Sequence, residues 1–166
     1  MMVEFTPIST VKPGTIARLL RQSYAILMES DPMWVPETAN WDAYDRYVFD
    51  YPETIGASLF LTRLGGRIAG FAAWDPREGP ACGKIGHNCV LPKFRRNGLG
   101  KLQIMEVLRR FQTMEICAAS VSTCDLPFFL PAQRMYTACG FCQVSRRPWE
   151  TNPDISVIEY EKSLTM

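Results

Sequence analysis

The chain has 166 residues and a mass of 18.8 kDa, is 47% hydrophobic and 21% charged, and carries a formal net charge of +1. That length predicts one domain, residues 1–166, able to bury a core, and the composition sits in the ordinary soluble globular range, so disorder is not the default reading. The near-neutral balance leaves no broad basic field for nucleic acid or anionic lipid, so a polyanion would have to meet a local cluster such as Lys93, Arg95, Arg96 and Lys101.

Met1 to Pro7 lacks the basic stretch and apolar run of an export signal, and no apolar run approaches the roughly twenty residues that span a bilayer. The expectation is a cytoplasmic protein with reduced thiols and no membrane partner.

In chain order, Val3 to Ser9 reads as a short strand before a Pro13-Gly14 break. Thr15 to Glu29 carries Ile16, Leu19, Leu20, Tyr24, Leu27 and Met28 at near-helical spacing, which predicts an amphipathic helix. Pro32 and Pro36 interrupt the next stretch. Within Ser30 to Glu53, Trp41, Tyr44, Tyr47 and Val48 beside Asp42, Asp45 and Asp50 predict a loop and a second helix. Ser58 to Arg63 and Arg67 to Trp74 flank Gly65-Gly66 as the arms of a hairpin. Asp75 to Cys82 is a turn, and Gly83 to Val90 a strand that runs into Leu91-Pro92.

From Gly98 onward the pattern is helical, with Leu99, Leu102, Met105, Leu108 and Phe111 as the apolar stripe and Lys101, Gln103, Glu106, Arg109 and Arg110 mostly off it. Ile116 to Thr123 is a β-rich run, so strand–helix–strand with parallel strands is expected. Pro131 opens a short helix through Cys139, and two strands follow, Phe141 to Arg146 and Ile155 to Glu161. The sum is an α/β domain around one mixed sheet.

Six cysteines are scattered along the chain, and only Cys139-Gly140-Phe141-Cys142 has a redox-like spacing. A redox pair opens a helix, where the dipole stabilises a thiolate, whereas this one closes a helix with Gly140 as a left-handed cap. A structural zinc would need a second pair of ligands, so no metal is expected.

The loop Arg95-Arg96-Asn97-Gly98-Leu99-Gly100 carries the chemistry. It follows a strand and opens a helix, so free backbone N–H groups lie at the positive end of the helix dipole. Gly98 and Gly100 let a phosphate approach the backbone, and Lys93, Arg95, Arg96 and Lys101 add positive charge. A P-loop would put glycine where Arg95 stands and serine or threonine where Leu102 stands, and a dinucleotide fingerprint needs a third glycine. What remains is a cradle for a diphosphate, or a solvated turn with incidental basic residues.

Val90-Leu91-Pro92-Lys93-Phe94-Arg95-Arg96-Asn97-Gly98-Leu99-Gly100 resembles the coenzyme A signature of the GNAT N-acyltransferase superfamily, Val-x-Pro-x-aromatic-Arg-x-x-Gly-x-Gly, at every fixed position. Ala132 to Phe141 is similar to the same family's Ala-x-x-x-Tyr-x-x-x-Gly-Phe ending. The resemblance covers roughly Ser58 to Phe141 and implies a mixed, mostly antiparallel central sheet flanked by helices.

It also implies an acetyl-CoA-dependent N-acetyltransferase that transfers an acetyl group to a primary amine of a small molecule or peptide by direct attack. Backbone groups around Cys89, Val90 and Leu91 would pair with pantetheine. The amides of Arg96, Asn97, Gly98, Leu99, Gly100 and Lys101 would hold the diphosphate, helped by the Arg95 side chain. Tyr136 would stand near the thioester sulfur as the acid. Early helices form the acceptor wall in the family, which here would hold Trp34, Trp41, Tyr44 and Tyr47 with Glu29, Asp31, Glu37, Asp42, Asp45 and Asp50.

One departure is Phe129, where the family often has asparagine. His87, the one histidine, lies on the strand expected to border the thioester and is a candidate base beside water relayed from an acid; Asn88 is a candidate polar contact. The backbone N–H of Val90 or of Leu91 would polarise the thioester carbonyl. A non-catalytic acyl-CoA-binding or sensing domain is the alternative function. No nucleic-acid partner is expected, and a homodimer is compatible with the sequence.

Overall fold

The structure is a computed structural model that describes residues 1–165. Among the described residues seven strands form one sheet: β1 (Val3–Thr6), β2 (Leu59–Leu64), β3 (Arg67–Asp75), β4 (Gly83–Val90), β5 (Ala118–Cys124), β6 (Cys142–Trp149) and β7 (Asn152–Ser163). Their order is β1-β2-β3-β4-β5-β7-β6. The pairings of β1 with β2, β2 with β3, β5 with β7 and β6 with β7 are antiparallel, and β4 runs parallel to β5. Four helices accompany them: α1 (Thr15–Ser30), α2 (Glu37–Asp50), α3 (Leu99–Thr113) and α4 (Leu130–Ala138). This is the mixed, mostly antiparallel sheet with flanking helices that the sequence predicts. No helix of the described residues is long and apolar enough to cross a membrane.

The chain divides into two compact units: Met1–Ala73 with His87–Gln103, and Trp74–Gly86 with the chain from Ile104 onward. In the first unit, Gly65 and Gly66 both take positive φ, 56° and 77°, as the tight β2–β3 turn requires. Leu59, Phe60, Leu61 and Thr62 are all buried, so β2 is covered on both faces. Ile16, Leu19 and Leu20 of α1, Trp41 and Val48 of α2, and Leu61, Phe71 and Leu91 share one core. The first strand stops at Thr6, short of the expected Ser9, because Ile8–Thr10 coils into a 3-10 turn after Pro7.

α1 has no side-chain cap of its own, since Gly14 stands at its N-cap. Asp45 of α2 supplies one from outside: Gly14 N–H donates to its Oδ1 at 2.8 Å and Ala17 N–H to its Oδ2 at 3.0 Å. Beside it Arg21 forks onto Asp42, with both N···O distances 2.7 Å. Two carboxylates expected on the acceptor wall therefore fasten α1 to α2.

In the second unit, Gly83 sits against the ring of Phe111, which a Cβ would meet at 2.6 Å. Trp74 meets Phe111 edge-on and Arg110 lies over the Trp74 ring. The last two strands are longer than expected, and the Cys142–Trp149 strand is exposed for most of its length. Gly140 has φ 90°, the left-handed cap expected at the end of α4, and Lys162 Nζ donates to the Cys139 carbonyl at 2.7 Å. Cys139 is buried, Cys142 exposed, and both are free thiols.

α3 corrects the sequence reading. Its buried residues are Leu99, Gln103, Ile104, Val107, Leu108 and Phe111, while Leu102 and Met105 are 43% and 47% exposed. A three-residue repeat drifts off a helix that turns every 3.6 residues, so the second and third members of the expected stripe rotate into solvent. Gln103, expected to lie off the apolar stripe, is fully buried.

Candidate active site

The loop between β4 and α3 begins with a 3-10 turn, Pro92–Phe94, whose Phe94 ring plugs the core. Arg67 and Lys93 place cationic groups 5.4 and 5.2 Å from its centroid. Arg96 and Gly98 then take left-handed φ values of 65° and 73°. Leu102 N–H donates to Gly98 O at 3.1 Å, which makes Gly98 the N-cap of α3. The amides of Leu99, Gly100 and Lys101 precede that first rung and have no partner within the helix. Open space surrounds Gly98, and Arg96, Asn97 and Lys101 are exposed. Free amides at a helix N-terminus beside exposed cations are what binding an anion requires.

Two side chains of the predicted loop bond back onto the protein's own carbonyls. The Arg95 Nε donates to Val90 O at 2.9 Å and its Nη2 to Ser23 O at 2.8 Å, so this guanidinium ties β4 to α1. The Asn97 amide donates to Phe94 O at 3.0 Å, holding the loop on itself. Arg96 and Lys101 are left as the outward cations of the predicted set.

On β4 the backbone is engaged one peptide at a time. Leu91 N–H donates to Ala69 O at 2.8 Å, and Phe94 N–H to Leu91 O at 2.9 Å. Gln103 Nε2 donates to Cys89 O at 3.2 Å. Leu91's amide, one of the two predicted carbonyl donors, is therefore committed to the sheet. Cys89 itself is deeply buried, and burial pushes its thiol up to about 11, which makes it a packing group. Asn88 turns to Gln103 Oε1, 2.6 Å away.

His87 lies between aromatic rings, 4.9 Å from Tyr44 and 5.9 Å from Phe71. Loss of solvent lowers its pKa from 6.5 to about 4, so the imidazole is neutral near pH 7. Burial likewise raises the Tyr44 phenol above its ordinary range. A histidine with a lowered folded pKa binds its proton more readily when unfolded, so stability falls as pH drops from 6.5 toward 4. The slope is at most about 1.4 kcal/mol per pH unit. Urea unfolding across that window should show it, and His87→Phe should flatten it; an equal slope in the variant would assign the acid sensitivity to other groups.

Of the predicted acceptor-wall aromatics, Trp34 and Trp41 are buried, and Trp41 stacks on Tyr24 with centroids 5.3 Å apart. Tyr44 faces His87, while Tyr47 is 53% exposed.

Tyr136, in the second unit, is buried in α4 with its ring 6.1 Å from Phe141 and 5.7 Å from Tyr160. Burial, then Tyr160 and Cys139, raise its pKa, so the phenol stays protonated. Phe129 ends the 3-10 turn before α4 and packs edge-on against Phe128 at 5.1 Å.

Sequence reasoning missed Gln103 and Thr62. Both are fully buried polar side chains, and Gln103 Nε2 also donates to Thr62 Oγ1 at 2.8 Å. The signal for Gln103 was its spacing of four from Leu99 and from Val107, which puts it on the buried face.

The acetyltransferase (GNAT) family model matches residues 20–141. No curated protein matches the chain. Among solved structures, a GNAT-family protein from Desulfovibrio desulfuricans superimposes with a TM-score of 0.75 at 18% identity, over 99% of this chain and 100% of that one. An aminoglycoside 6′-N-acetyltransferase in complex with coenzyme A gives 0.72 at 14% identity, over 100% and 98%. A Salmonella typhimurium protein solved with acetyl-CoA gives 0.73 at 12% identity, over 100% and 95%. At such identities the superpositions speak for the fold alone.

Proposed function

Because the chain belongs to the GNAT acetyltransferase family, we propose that it transfers the acetyl group of acetyl-CoA to a primary amine of a small molecule or peptide by direct attack. The observation that carries the reading is the loop from Arg96 to Lys101. Two left-handed residues there expose the first-turn amides of α3 beside two outward cations.

In this reading the diphosphate of the cofactor sits on the amides of Arg96 to Lys101. The amine nitrogen attacks the thioester carbon and the oxygen gains charge; the nitrogen, now cationic, releases its extra proton to solvent, and the C–S bond breaks as the tetrahedral intermediate collapses. With Leu91's amide engaged by Ala69, Val90 N–H is the donor that stabilises the oxyanion. Tyr136 serves the leaving sulfur. Its raised pKa makes a complete proton transfer to a thiolate uphill, so its contribution is a hydrogen bond to the developing charge, with the proton following from solvent. His87, neutral, accepts a hydrogen bond from the amine and orients it. Its pKa of about 4 makes it too weak to deprotonate an alkylammonium of pKa about 10.4, so the amine arrives as its free base.

A thiol-release assay with acetyl-CoA across a panel of amines tests the reading. Tyr136→Phe should lower kcat by about 10- to 100-fold and leave coenzyme A affinity nearly unchanged. An unchanged kcat would remove Tyr136 from the reaction. Tight binding of coenzyme A with no transfer to any amine would favour the acyl-CoA-sensing alternative.

A further inference from the structure

Gln103 stands on α3 with no exposed surface, and all three of its partners are defined. Its Nε2 donates to Thr62 Oγ1 at 2.8 Å and to Cys89 O at 3.2 Å, and its Oε1 accepts from Asn88 Nδ2 at 2.6 Å. The Cys89 carbonyl can only accept, which fixes the carboxamide: its nitrogen must face Cys89 O, and its oxygen must then face Asn88 Nδ2. Nothing in this arrangement can flip without setting two acceptors against each other.

The Cys89 carbonyl and the Val90 N–H belong to one peptide unit. That unit is planar and trans, so its N–H points opposite to its C=O. Whatever fixes the direction of Cys89 O fixes the direction of Val90 N–H. Gln103 holds that oxygen on one side, where Gly70 leaves room for it, since a Cβ there would lie 2.0 Å away. A hydrogen bond at the carbonyl also polarises the peptide and strengthens its N–H as a donor.

We infer that Gln103 is a positioning residue for acyl transfer, which aims and polarises the Val90 N–H through the Cys89–Val90 peptide. The catalytic half of this inference rests on the acetyltransferase reading above; the peptide-orienting half does not.

Thr62→Val supplies the matched comparison, because it removes a buried acceptor from the same network while leaving the bond to Cys89 O. Gln103→Met should lower kcat by about tenfold or more with coenzyme A affinity changed by less than about threefold, whereas Thr62→Val should keep kcat within about twofold even if its melting temperature falls. Equal losses in the two variants, or an unchanged kcat in Gln103→Met, would overturn the assignment.

If Gln103→Met does not fold, Gln103→Glu decides. The protonated acid still donates to Cys89 O and the carboxylate cannot, so its kcat relative to wild type should fall about tenfold as pH rises through the raised pKa of a buried glutamate. A flat ratio would count against the inference.

Amide nitrogen–proton NMR needs no turnover. The Val90 amide proton should move upfield in the Gln103 variant and stay near its place in Thr62→Val. A Val90 signal unmoved by Gln103 substitution would sink the orienting role even if the enzyme reading stands, and inactive wild-type protein with the shift present would sink only the enzyme reading.

Discussion

Gly98→Asp is expected to weaken coenzyme A binding about a hundredfold, equivalent to about 2.7 kcal/mol, while leaving the protein as stable as before or slightly more so. The two signs come from one position. Gly98 is the N-cap of α3, with φ 73° and open space around it. Aspartate is among the best N-cap residues, and its carboxylate can accept from the first-turn amides that wait for a partner, worth about 1 kcal/mol to the helix. Those amides are the ones assigned to the diphosphate, so the new carboxylate competes with the ligand for its donors and repels it as well. The left-handed backbone costs aspartate less than other side chains and offsets part of the capping gain.

Gly98→Ala separates the contributions. It should lose about 1–2 kcal/mol to the positive φ and change binding much less, because it brings neither charge nor acceptor. Titration calorimetry with coenzyme A and a thermal melt on both variants check this. If Gly98→Asp binds coenzyme A like wild type, the cradle lies elsewhere.

Much of the fold was legible in the sequence because its signals are local. Paired glycines between two β-rich runs mark a hairpin, and a glycine-rich loop before an apolar helix marks strand-to-helix entry. The loop itself was legible for the same reason: glycine positions and basic residues follow one another along the chain. What the sequence hid is the direction of side chains that bond across it. Arg95 reads as a phosphate ligand by its place in the motif, yet its guanidinium reaches back to carbonyls of Val90 and Ser23, the latter 72 positions away. Asp45 reads as part of an acidic wall and instead caps α1 from another helix. Such partners are set by tertiary packing.

Gln103 was hidden differently. Its position on the buried face follows from helical periodicity, but a polar residue type argues for solvent, and only the acceptors on β2 and β4 reverse that argument. His87 shows the converse. Its residue type suggests a base near neutral pH, but it lies beside the rings of Tyr44 and Phe71, and burial lowers its pKa to about 4.

Gly70→Ala is expected to cost about 3 kcal/mol or more of folding stability and to reduce turnover in whatever remains folded. A Cβ on Gly70 would stand 2.0 Å from Cys89 O, 3.0 Å from Cys89 C and 3.0 Å from Val90 Cα. All three are backbone atoms of β4, so no side-chain rotation relieves the clash, and either β3 must retreat or the Cys89–Val90 peptide must turn. Turning it draws Cys89 O away from Gln103 Nε2 and leaves a fully buried amide donor short of an acceptor, which adds about 1–3 kcal/mol where the donor finds no substitute. Gly66→Ala is the proper comparison: it also sits on β3's hairpin, at φ 77°, but with nothing within 4 Å of its Cβ, so it carries backbone strain alone. Urea unfolding of the two variants should place Gly70→Ala well below Gly66→Ala, and equal losses would mean that β3 and β4 do not approach this closely. The same crowding links stability to chemistry. The carbonyl that needs a glycine opposite it is the one Gln103 holds, and the amide on the far side of that peptide is the one proposed to meet the oxyanion. Gly70→Ala should therefore move the Val90 amide resonance in the same direction as Gln103→Met.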